Sequence, residues 1–365
     1  MTRMKESGID WIGQIPEEWE VIKVKFFTYM KGRIGWQGLK ADEFIDEGPY
    51  LVTGTDFKNG RVNWDTAYHI SQKRYEQAPE IQLKQGDLLV TKDGTVGKLA
   101  LIDELPDSAS LNSHLLVLRP LFNRYDNHFL YYVLSSLEFK NYFQKVSIGS
   151  TMDSLSQEKM GEFIFALPNI NEQNSISRYL DKKTAQLDKA KELLEEQIQK
   201  LKDYRASLIY ETVTKGLDKT VPMKDSGIDW IGQVPEGWGV KPLKYLASYD
   251  DESLTQSEIN SNQKINYVDI GAVEFTKGIN GYQELLMSEA PSRARKIAKK
   301  GDTIISTVRT YLKAIAYLND DYIVSTGFCV VRPKKVNSKY LNYTIMSDSF
   351  TGPVSKYAWG VSYPA

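Results

Sequence analysis

Residues 4–21 read MKESGIDWIGQIPEEWEV, and residues 223–240 read MKDSGIDWIGQVPEGWGV. Fourteen of these 18 positions are identical at an offset of 219. Chance does not produce such agreement, so the chain carries two copies of one ancestral unit. Fainter landmarks continue the match. LKQGDLLVT (83–91) meets AKKGDTIIS (298–306), LVLRP (116–120) meets CVVRP (329–333), and FLYYVLSSLEF (129–139) meets YLNYTIMSDSF (340–350). The offset drifts to 215, 213 and 211, so small deletions separate the landmarks. The ends of the unit are kept while its middle has diverged. That pattern suits two modules with one scaffold and different targets, or a duplicated structural domain without divided specificity.

The second copy is the shorter. Ala365 corresponds to about residue 154 of the first copy, so residues 155–222 have no counterpart within 223–365. Those residues hold the longest helical signal. From Asn171 to Thr214 there is no glycine or proline, and Lys, Glu, Gln, Leu and Ala dominate. Leu180, Leu187, Leu194, Leu201 and Leu208 repeat every seven residues, widened by Ile176, Ala190, Ile198 and Tyr204. A seven-residue period keeps one seam facing a partner helix. Asn169 or Asn171 can cap the start, Glu172 suits the positive end, and Gly216 is placed to stop the helix. At ~1.5 Å per residue the segment makes a rod of about 66 Å.

Around this helix the modules read as β-rich. Strands are expected at 50–54, 87–91, 97–102 and 115–118, with turns at Lys58-Asn59-Gly60 and Asp93-Gly94 and a helix over 127–145. The second module shows strands at 303–308, 314–318 and 328–331 and a helix over 338–349. The fold class is therefore α+β: two β-rich domains connected by a long coiled-coil-forming helix. The four repeat tryptophans, Trp11, Trp19, Trp230 and Trp238, read as structural anchors.

Composition narrows the chemistry. The 365 residues suit two or three domains. Lys and Arg total 46 against 47 Asp and Glu, for a net charge of -1. That argues against a uniformly basic packer but leaves room for basic residues gathered on one face. One cysteine, Cys329, excludes an internal disulfide and suits a reducing compartment, and three histidines leave almost no Cys/His zinc site. No apolar run approaches the ~20 residues of a membrane helix, and the N-terminus lacks a secretory h-region. The chain reads as cytoplasmic, without a membrane partner.

No catalytic fingerprint emerges. Asp93-Gly94-Thr95-Val96-Gly97-Lys98 has two residues between its glycines, not four, and Leu99 follows the lysine, so it is not a phosphate loop. No dinucleotide fingerprint and no Asn-Pro-Pro-aromatic methyltransferase motif occurs. Pro106-Asp107 with Glu138-Phe139-Lys140 mimics a nuclease pattern, but Glu138 and Lys140 fall in an expected helix rather than on a sheet edge. No metal site is expected.

Polyanion-binding signals are stronger. Pro291–Lys300 (PSRARKIAKK) holds Arg293, Arg295, Lys296, Lys299 and Lys300 with no acid, and Ser306-Thr307-Val308-Arg309-Thr310-Tyr311-Leu312-Lys313 follows. Cationic side chains neutralise phosphates, and hydroxyls contact phosphates or base edges. Residues 249–260 instead carry Asp250, Asp251, Glu252 and Glu258, which implies an electrically polarised module. The first module offers Lys31-Gly32-Arg33, Lys58, Arg61, Lys73, Arg74, Lys92 and Lys98.

Taken together, these residues resemble the specificity subunit of type I restriction-modification enzymes. The duplicated SGIDWIGQIPEEW stretch is similar to that family's start of a target-recognition domain. Gly86-Asp87-Leu88-Leu89-Val90 resembles its Gly-Asp strand element. Leu167-Pro168-Asn169-Ile170-Asn171-Glu172-Gln173 resembles the lead into its conserved helix, and Ser325–Pro333 resembles one version of its recognition domain. The resemblance implies target-recognition domains at 1–168 and 218–365 and a conserved spacer helix at 169–217, with the second spacer helix missing. It implies a non-catalytic subunit that reads a bipartite target in double-stranded DNA and docks methylation and restriction subunits. S-adenosylmethionine, ATP and Mg would then belong to those partners, with no cofactor in this chain. The helix seam implies possible self-association. The expected DNA-contacting residues lie on loops beside the Gly-Asp strands. In the first module they are Thr55, Lys58, Lys92, Asp93, Thr95, Ser113, His114 and Thr151. In the second they are Arg293, Arg295, Ser306, Thr307, Arg309, Tyr311, Ser325, Thr326 and Tyr363. The alternative is a coiled-coil adaptor that binds only protein.

Overall fold

The computed structural model describes residues 3–33, 39–147 and 154–358. It falls into two compact units, Met1–Lys191 and Glu192–Ala365. The division lies within the long helix, so each unit takes one end of it.

Each unit contains the same hairpin. In the first, Met4–Glu6 pairs antiparallel with Gln14–Pro16; in the second, Met223–Asp225 pairs with Gln233–Pro235. The Ser7 amide donates to the Gly13 carbonyl at 2.9 Å, and the Ser226 amide to the Gly232 carbonyl at 2.9 Å. The nearly identical sequences fold alike, because the hairpin's own backbone bonds are local.

The main sheets also correspond. The first unit orders Thr28–Lys31, Leu115–Pro120, Leu88–Thr91 and Leu99–Leu101 side by side, then adds Arg61–Val62 and Phe57–Lys58. The second orders Ala247–Tyr249, Phe328–Pro333, Thr303–Ser306 and Ile315–Tyr317 in the same sequence. A second sheet in each unit contains one parallel pair: Ile45–Val52 with Ala109–Leu111, and Lys264–Val268 with Tyr322–Ser325. Leu88, Leu89 and Val90 are fully buried, as is Ile304. These unbroken apolar runs are covered on both faces, which is why they do not alternate.

The Gly-Asp landmark explains itself in this setting. Gly86 has φ +86° and Gly301 has φ +91°, a region costly for residues with a Cβ. Each glycine turns the chain so that the next aspartate points inward. Asp87 accepts two hydrogen bonds at 2.6 Å from Arg119 and one at 2.7 Å from the Lys84 amide. Asp302 likewise accepts from Arg332 at 2.8 Å and from the Lys299 amide at 2.9 Å. Both arginines are the Arg of the repeated Arg-Pro landmark, one strand away. The carboxylates raise both guanidinium pKa values above the ordinary arginine range.

The expected helix over 127–145 is two helices, Asn127–Ser135 and Leu137–Ser147, and the expected helix over 338–349 is Ser338–Met346 followed by Asp348–Lys356. Ser136 and Ser347, with extended ψ of 163° and 152°, stand at the breaks. A serine favours helix starts because its side chain competes for backbone amides. The Ser136 hydroxyl accepts from the Phe139 amide at 3.3 Å.

The long helix spans Ile170–Lys215. Asn169 caps it, accepting from the Glu172 amide at 3.1 Å. Gly216 ends it with φ +75°, its amide donating to the Thr212 carbonyl at 3.1 Å. Gln173 is fully buried and joins it to the first module, accepting from the Asp126 amide at 3.0 Å and donating to the Pro168 carbonyl at 2.8 Å. Glu172 accepts from the Trp19 indole at 3.0 Å. Leu187, Leu194, Leu201 and Leu208 of the seam are exposed, and Leu180 is partly buried. Of the four anchor tryptophans, Trp19 and Trp238 are partly buried, Trp238 lying against Gly216. Trp11 and Trp230 are instead exposed, at 39% and 55%, and anchor less than the sequence implies.

Asp87→Asn and Asp302→Asn each remove one partner of a buried, bidentate pair. Each should destabilise its own unit by about 3 kcal/mol. Denaturant titration followed unit by unit checks this; a loss under about 1 kcal/mol, the worth of an exposed pair, would contradict it.

Candidate nucleic-acid interface

In the first unit the candidates gather on two neighbouring loops. One joins Leu88–Thr91 to Leu99–Leu101; the other precedes Leu115–Pro120. The Lys92 amide donates to the His114 carbonyl at 2.8 Å, which ties the loops together. Asp93 lies between two bases: 3.8 Å from Lys92 Nζ and 3.5 Å from His114 Nδ1. The first loop is pinned from inside. Buried Thr91 donates its hydroxyl to the Thr95 carbonyl at 2.5 Å and accepts from the Lys98 amide at 2.9 Å. Thr95, Lys98 and His114 are thereby exposed, and Ser113 is half-buried.

Thr55 and Lys58 belong to other turns. Exposed Thr55 shares a hydroxyl hydrogen bond with Thr53 at 2.6 Å, over buried Asp56. Lys58 sits at the tip of the Phe57–Lys58/Arg61–Val62 hairpin. Thr151 and Tyr363 lie outside the described residues.

The second unit uses the same two loops. The Thr307 amide donates to the Gly327 carbonyl at 2.9 Å, and the Thr326 amide to the Arg293 carbonyl at 2.9 Å. This brings Arg293, Thr307, Ser325 and Thr326 together. Ser306 and Ser325 are buried and serve the turns: the Ser306 hydroxyl donates to the Val308 carbonyl at 2.7 Å, and Ser325 Oγ accepts from the Gly327 amide at 3.3 Å. Those two hydroxyls position the loops rather than face outward. Arg293 donates to the Tyr267 hydroxyl at 3.2 Å and forms an ion pair with Asp269. Arg295 lies on the strand Ala294–Ala298, with its guanidinium on the Ala294 carbonyl at 2.8 Å. Arg309 and Lys313 both adopt φ +51° and bracket a turn where Tyr311 and Leu312 are each 58% exposed.

Two charge expectations need correction. The acidic stretch after Tyr249 does not face away from PSRARKIAKK. Asp250 pairs with Lys296 at 2.7 Å, and Glu252 with Lys299 at 2.7 Å and with Arg332 at 2.7 Å. The module is locally neutralised there rather than polarised, because the strands bring together segments some 46 residues apart. Arg33, second, is 4% exposed and donates to the Leu111 carbonyl and the Ser110 hydroxyl, each at 2.9 Å. Burial lowers its pKa to about 10, still charged at neutral pH. Arg74 is likewise paired with Glu43 at 2.8 Å.

Sequence reading missed Asp269, the partner of Arg293, and placed Lys313 only within the basic stretch 306–313. Lys313 pairs with Asp348 and lies 5.3 Å from the Phe275 ring centre. Its left-handed backbone, φ +51°, is one that lysine rarely takes and the sequence did not signal. Among the described residues, no three His, Cys, Asp or Glu side chains stand close enough to share a metal ion. No helix there is long and apolar enough to cross a membrane.

Two homologous β-rich modules, each presenting the same pair of polar loops with different residues, are the arrangement of a modular recognition protein. The family described as type I restriction modification DNA specificity domain matches residues 16–202, and the chain belongs to that family. The type I restriction enzyme MjaVIII specificity subunit of Methanocaldococcus jannaschii is 27% identical over 367 residues, covering 96% of this chain and 80% of the relative. The MjaX specificity subunit of the same organism is 25% identical over 257 residues, 68% of this chain and 58% of its own length. The EcoKI specificity subunit of Escherichia coli is 22% identical over 202 residues, spanning 43% of that protein. Among solved structures, the HsdS subunit from Thermoanaerobacter tengcongensis aligns with TM-score 0.54 at 15% identity, over 96% of this chain and 85% of that one. A chain from a type I R-M system solved for its complex assembly and conformational transition aligns with TM-score 0.61 at 17% identity, over 91% and 80%. The protein is thus a specificity subunit, the non-catalytic component of such systems, concerned with DNA target recognition.

Cys329, opposite Ile305 in the sheet behind the second loop, gives a chemical probe of this packing. Burial first, then the Asp250 carboxylate, pushes its thiol up to about 11. Only the thiolate is nucleophilic, and a free cysteine titrates near about 8.5. Iodoacetamide at mildly alkaline pH should therefore alkylate the folded protein at least about tenfold more slowly than the unfolded chain. Reaction at the unfolded rate would contradict the packing.

Proposed function

We propose that each unit reads one half of a split sequence in double-stranded DNA through its paired loops. The observation that carries this reading is that two different residue sets occupy the same two loops on the same sheet. Lys92, Asp93, Thr95, Ser113 and His114 stand in the first unit where Thr307, Arg309, Tyr311 and Thr326 stand in the second. A shared scaffold with unlike loops gives two specificities at one docking geometry.

The chemistry suits base reading. Arginine pairs with guanine edges, aspartate accepts from the cytosine amine, and threonine serves either role. Lys58, Lys98 and Lys313 are suited to phosphates, which position a protein without naming a sequence. A net charge of -1 over the whole chain then leaves part of the backbone neutralisation to partners. In this reading methylation subunits bring S-adenosylmethionine, and restriction subunits bring ATP and Mg. The exposed Leu187, Leu194, Leu201 and Leu208 seam supplies apolar surface for a helical partner, including that of a second copy.

Arg309→Ala tests the reading. With methylation subunit present, fluorescence anisotropy on duplex DNA should show binding weakened by about 1–3 kcal/mol if Arg309 contacts a base. The loss should vanish on DNA altered at the contacted base pair. If Arg309 meets a phosphate, affinity falls alike for all sequences and the salt slope drops by about 1. Unchanged affinity removes Arg309 from the interface, and no DNA binding in any combination would favour the protein-only adaptor.

A further inference from the structure

The two recognition loops are stiffened by different means. In the first unit the Thr91 hydroxyl spans its loop, bonding both the Thr95 carbonyl and the Lys98 amide. In the second the Ser306 hydroxyl closes on Val308, donating to its carbonyl at 2.7 Å and accepting from its amide at 3.2 Å. The outer part of that loop, Arg309–Lys313, lies beyond this bond. It is also the strained part. Arg309 and Lys313 both take φ +51°. That conformation is costly for any residue with a Cβ and persists only where the surroundings hold it. Two backbone bonds close the turn: the Leu312 amide donates to the Arg309 carbonyl at 2.9 Å, and the Lys313 amide to the Thr310 carbonyl at 3.0 Å.

Phe275 supports the turn from outside. It stands at the tip of the hairpin formed by Val273–Glu274 and Gly278–Ile279. The tip is locked: Gly278 takes φ +76°, and Glu274 accepts from Asn280 Nδ2 and Lys277 Nζ, each at 3.0 Å. The hairpin lies beside Ile315–Tyr317, the strand that follows the loop. Phe275 packs on the apolar cluster that includes Ile315, Val331 and Ile345. Two cations meet its ring. Lys313 Nζ is 5.3 Å from the ring centre, and the guanidinium carbon of Arg205, on the long helix, is 5.9 Å from it. The π-electrons of an aromatic ring attract cations at such distances. Like charges sharing a ring repel, and the Asp348 carboxylate, ion-paired with Lys313, balances one of them. Phe275 thus joins the last residue of the strained turn to the helix. The first unit joins its hairpin to the helix by a polar route instead. Arg61, on the strand beside Leu99–Leu101, lies 3.4 Å from His128 Nε2, which lies 3.4 Å from Asp181 of the helix.

We propose that Phe275 is a positioning residue for the second half-site: through Lys313 its ring fixes the Arg309–Lys313 turn against the long helix, and so sets how sharply that turn discriminates bases. This rests on the reading of the turn as a DNA contact. Phe275 acts through Lys313 rather than on DNA itself. A turn held in one conformation before binding loses less entropy on meeting its target, and a loosened turn adapts to wrong sequences as well as to the right one.

Phe275→Leu keeps the apolar contact and removes the π-electrons, whereas Phe275→Tyr keeps both. In the full chain without DNA, hydrogen exchange at the Leu312 and Lys313 amides should quicken about two- to fivefold in Phe275→Leu, the size of one exposed cation–aromatic contact, and stay unchanged in Phe275→Tyr. With methylation subunit present, anisotropy on duplexes altered base pair by base pair should show Phe275→Leu losing about two- to fivefold of its discrimination in the second half-site and none in the first. Arg205→Gln should give part of the same loss, and add nothing to it in the Phe275→Leu chain. A merely structural role would give leucine and tyrosine variants that behave alike, or weaker binding to every sequence with a lowered melting temperature; either result overturns the proposal. So does unchanged exchange in Phe275→Leu, or an Arg205→Gln loss that adds in full. Faster exchange with discrimination intact also overturns it where Arg309→Ala still weakens binding. If Arg309→Ala is without effect too, the DNA reading of the turn has failed, and the faster exchange by itself retains Phe275 as the residue that holds the turn.

Discussion

A carboxylate held out of water by one arginine underlies both modules. Asp87 and Asp302 are nearly inaccessible, at 1% and 2%, and each is clamped by the arginine of the next strand. A charge so placed is tolerable only if its partner and its backbone donors are all present. The requirement reaches outward. It demands a glycine before the aspartate, since the turn needs positive φ, and it sets the register of two sheet strands. Those strands carry, at one end, the loops that hold the candidate contacts. What must stay constant is at the clamp, and what can vary is at the loops.

That separation explains how one fold serves two targets. Thr91 and Ser306 are buried at the ends of equivalent strands and hydrogen-bond into the loops that follow. Each loop is thus stiffened from within, leaving its outer side chains to be chosen freely. Pre-ordered loops lose less entropy on binding. The units differ at the opposite edge. There the first is closed by Ile164–Leu167, with Trp19, Lys25 and Asp126 all partnered, whereas Gly239–Pro242, which corresponds to its partner strand Glu20–Lys23, forms no strand among the described residues.

Much of this was legible in the sequence, for physical reasons that can be named. The hairpins repeat because their backbone bonds are local, so matching residues fold alike. The Ile170–Lys215 helix was legible because its period and its caps at Asn169 and Gly216 lie within the segment. The break at Ser136 was not, since a serine inside a helical run is a middling helix former and marks no boundary by itself. Charge was the least legible. Asp250 and Glu252 read as an acidic stretch, yet they neutralise Lys296 and Lys299 across the fold. Arg33 read as surface charge, yet it is buried on a carbonyl and a hydroxyl. The loop candidates were partly legible: Thr307 and Thr326 lie on adjoining loops, joined by the Thr307–Gly327 bond, whereas Ser306 and Ser325 turn inward to support them.

The central claim is that two unlike loop sets on one clamped scaffold read two separate half-sites. The most direct measurement is the adenine methylome of cells expressing this chain with a methylation subunit, repeated after the second unit's loops at 307–313 and 326–327 are exchanged. The account predicts a bipartite methylated motif in which the exchange alters one half and leaves the other half and the spacing unchanged. A single continuous motif, or an exchange that changes both halves or neither, would contradict it.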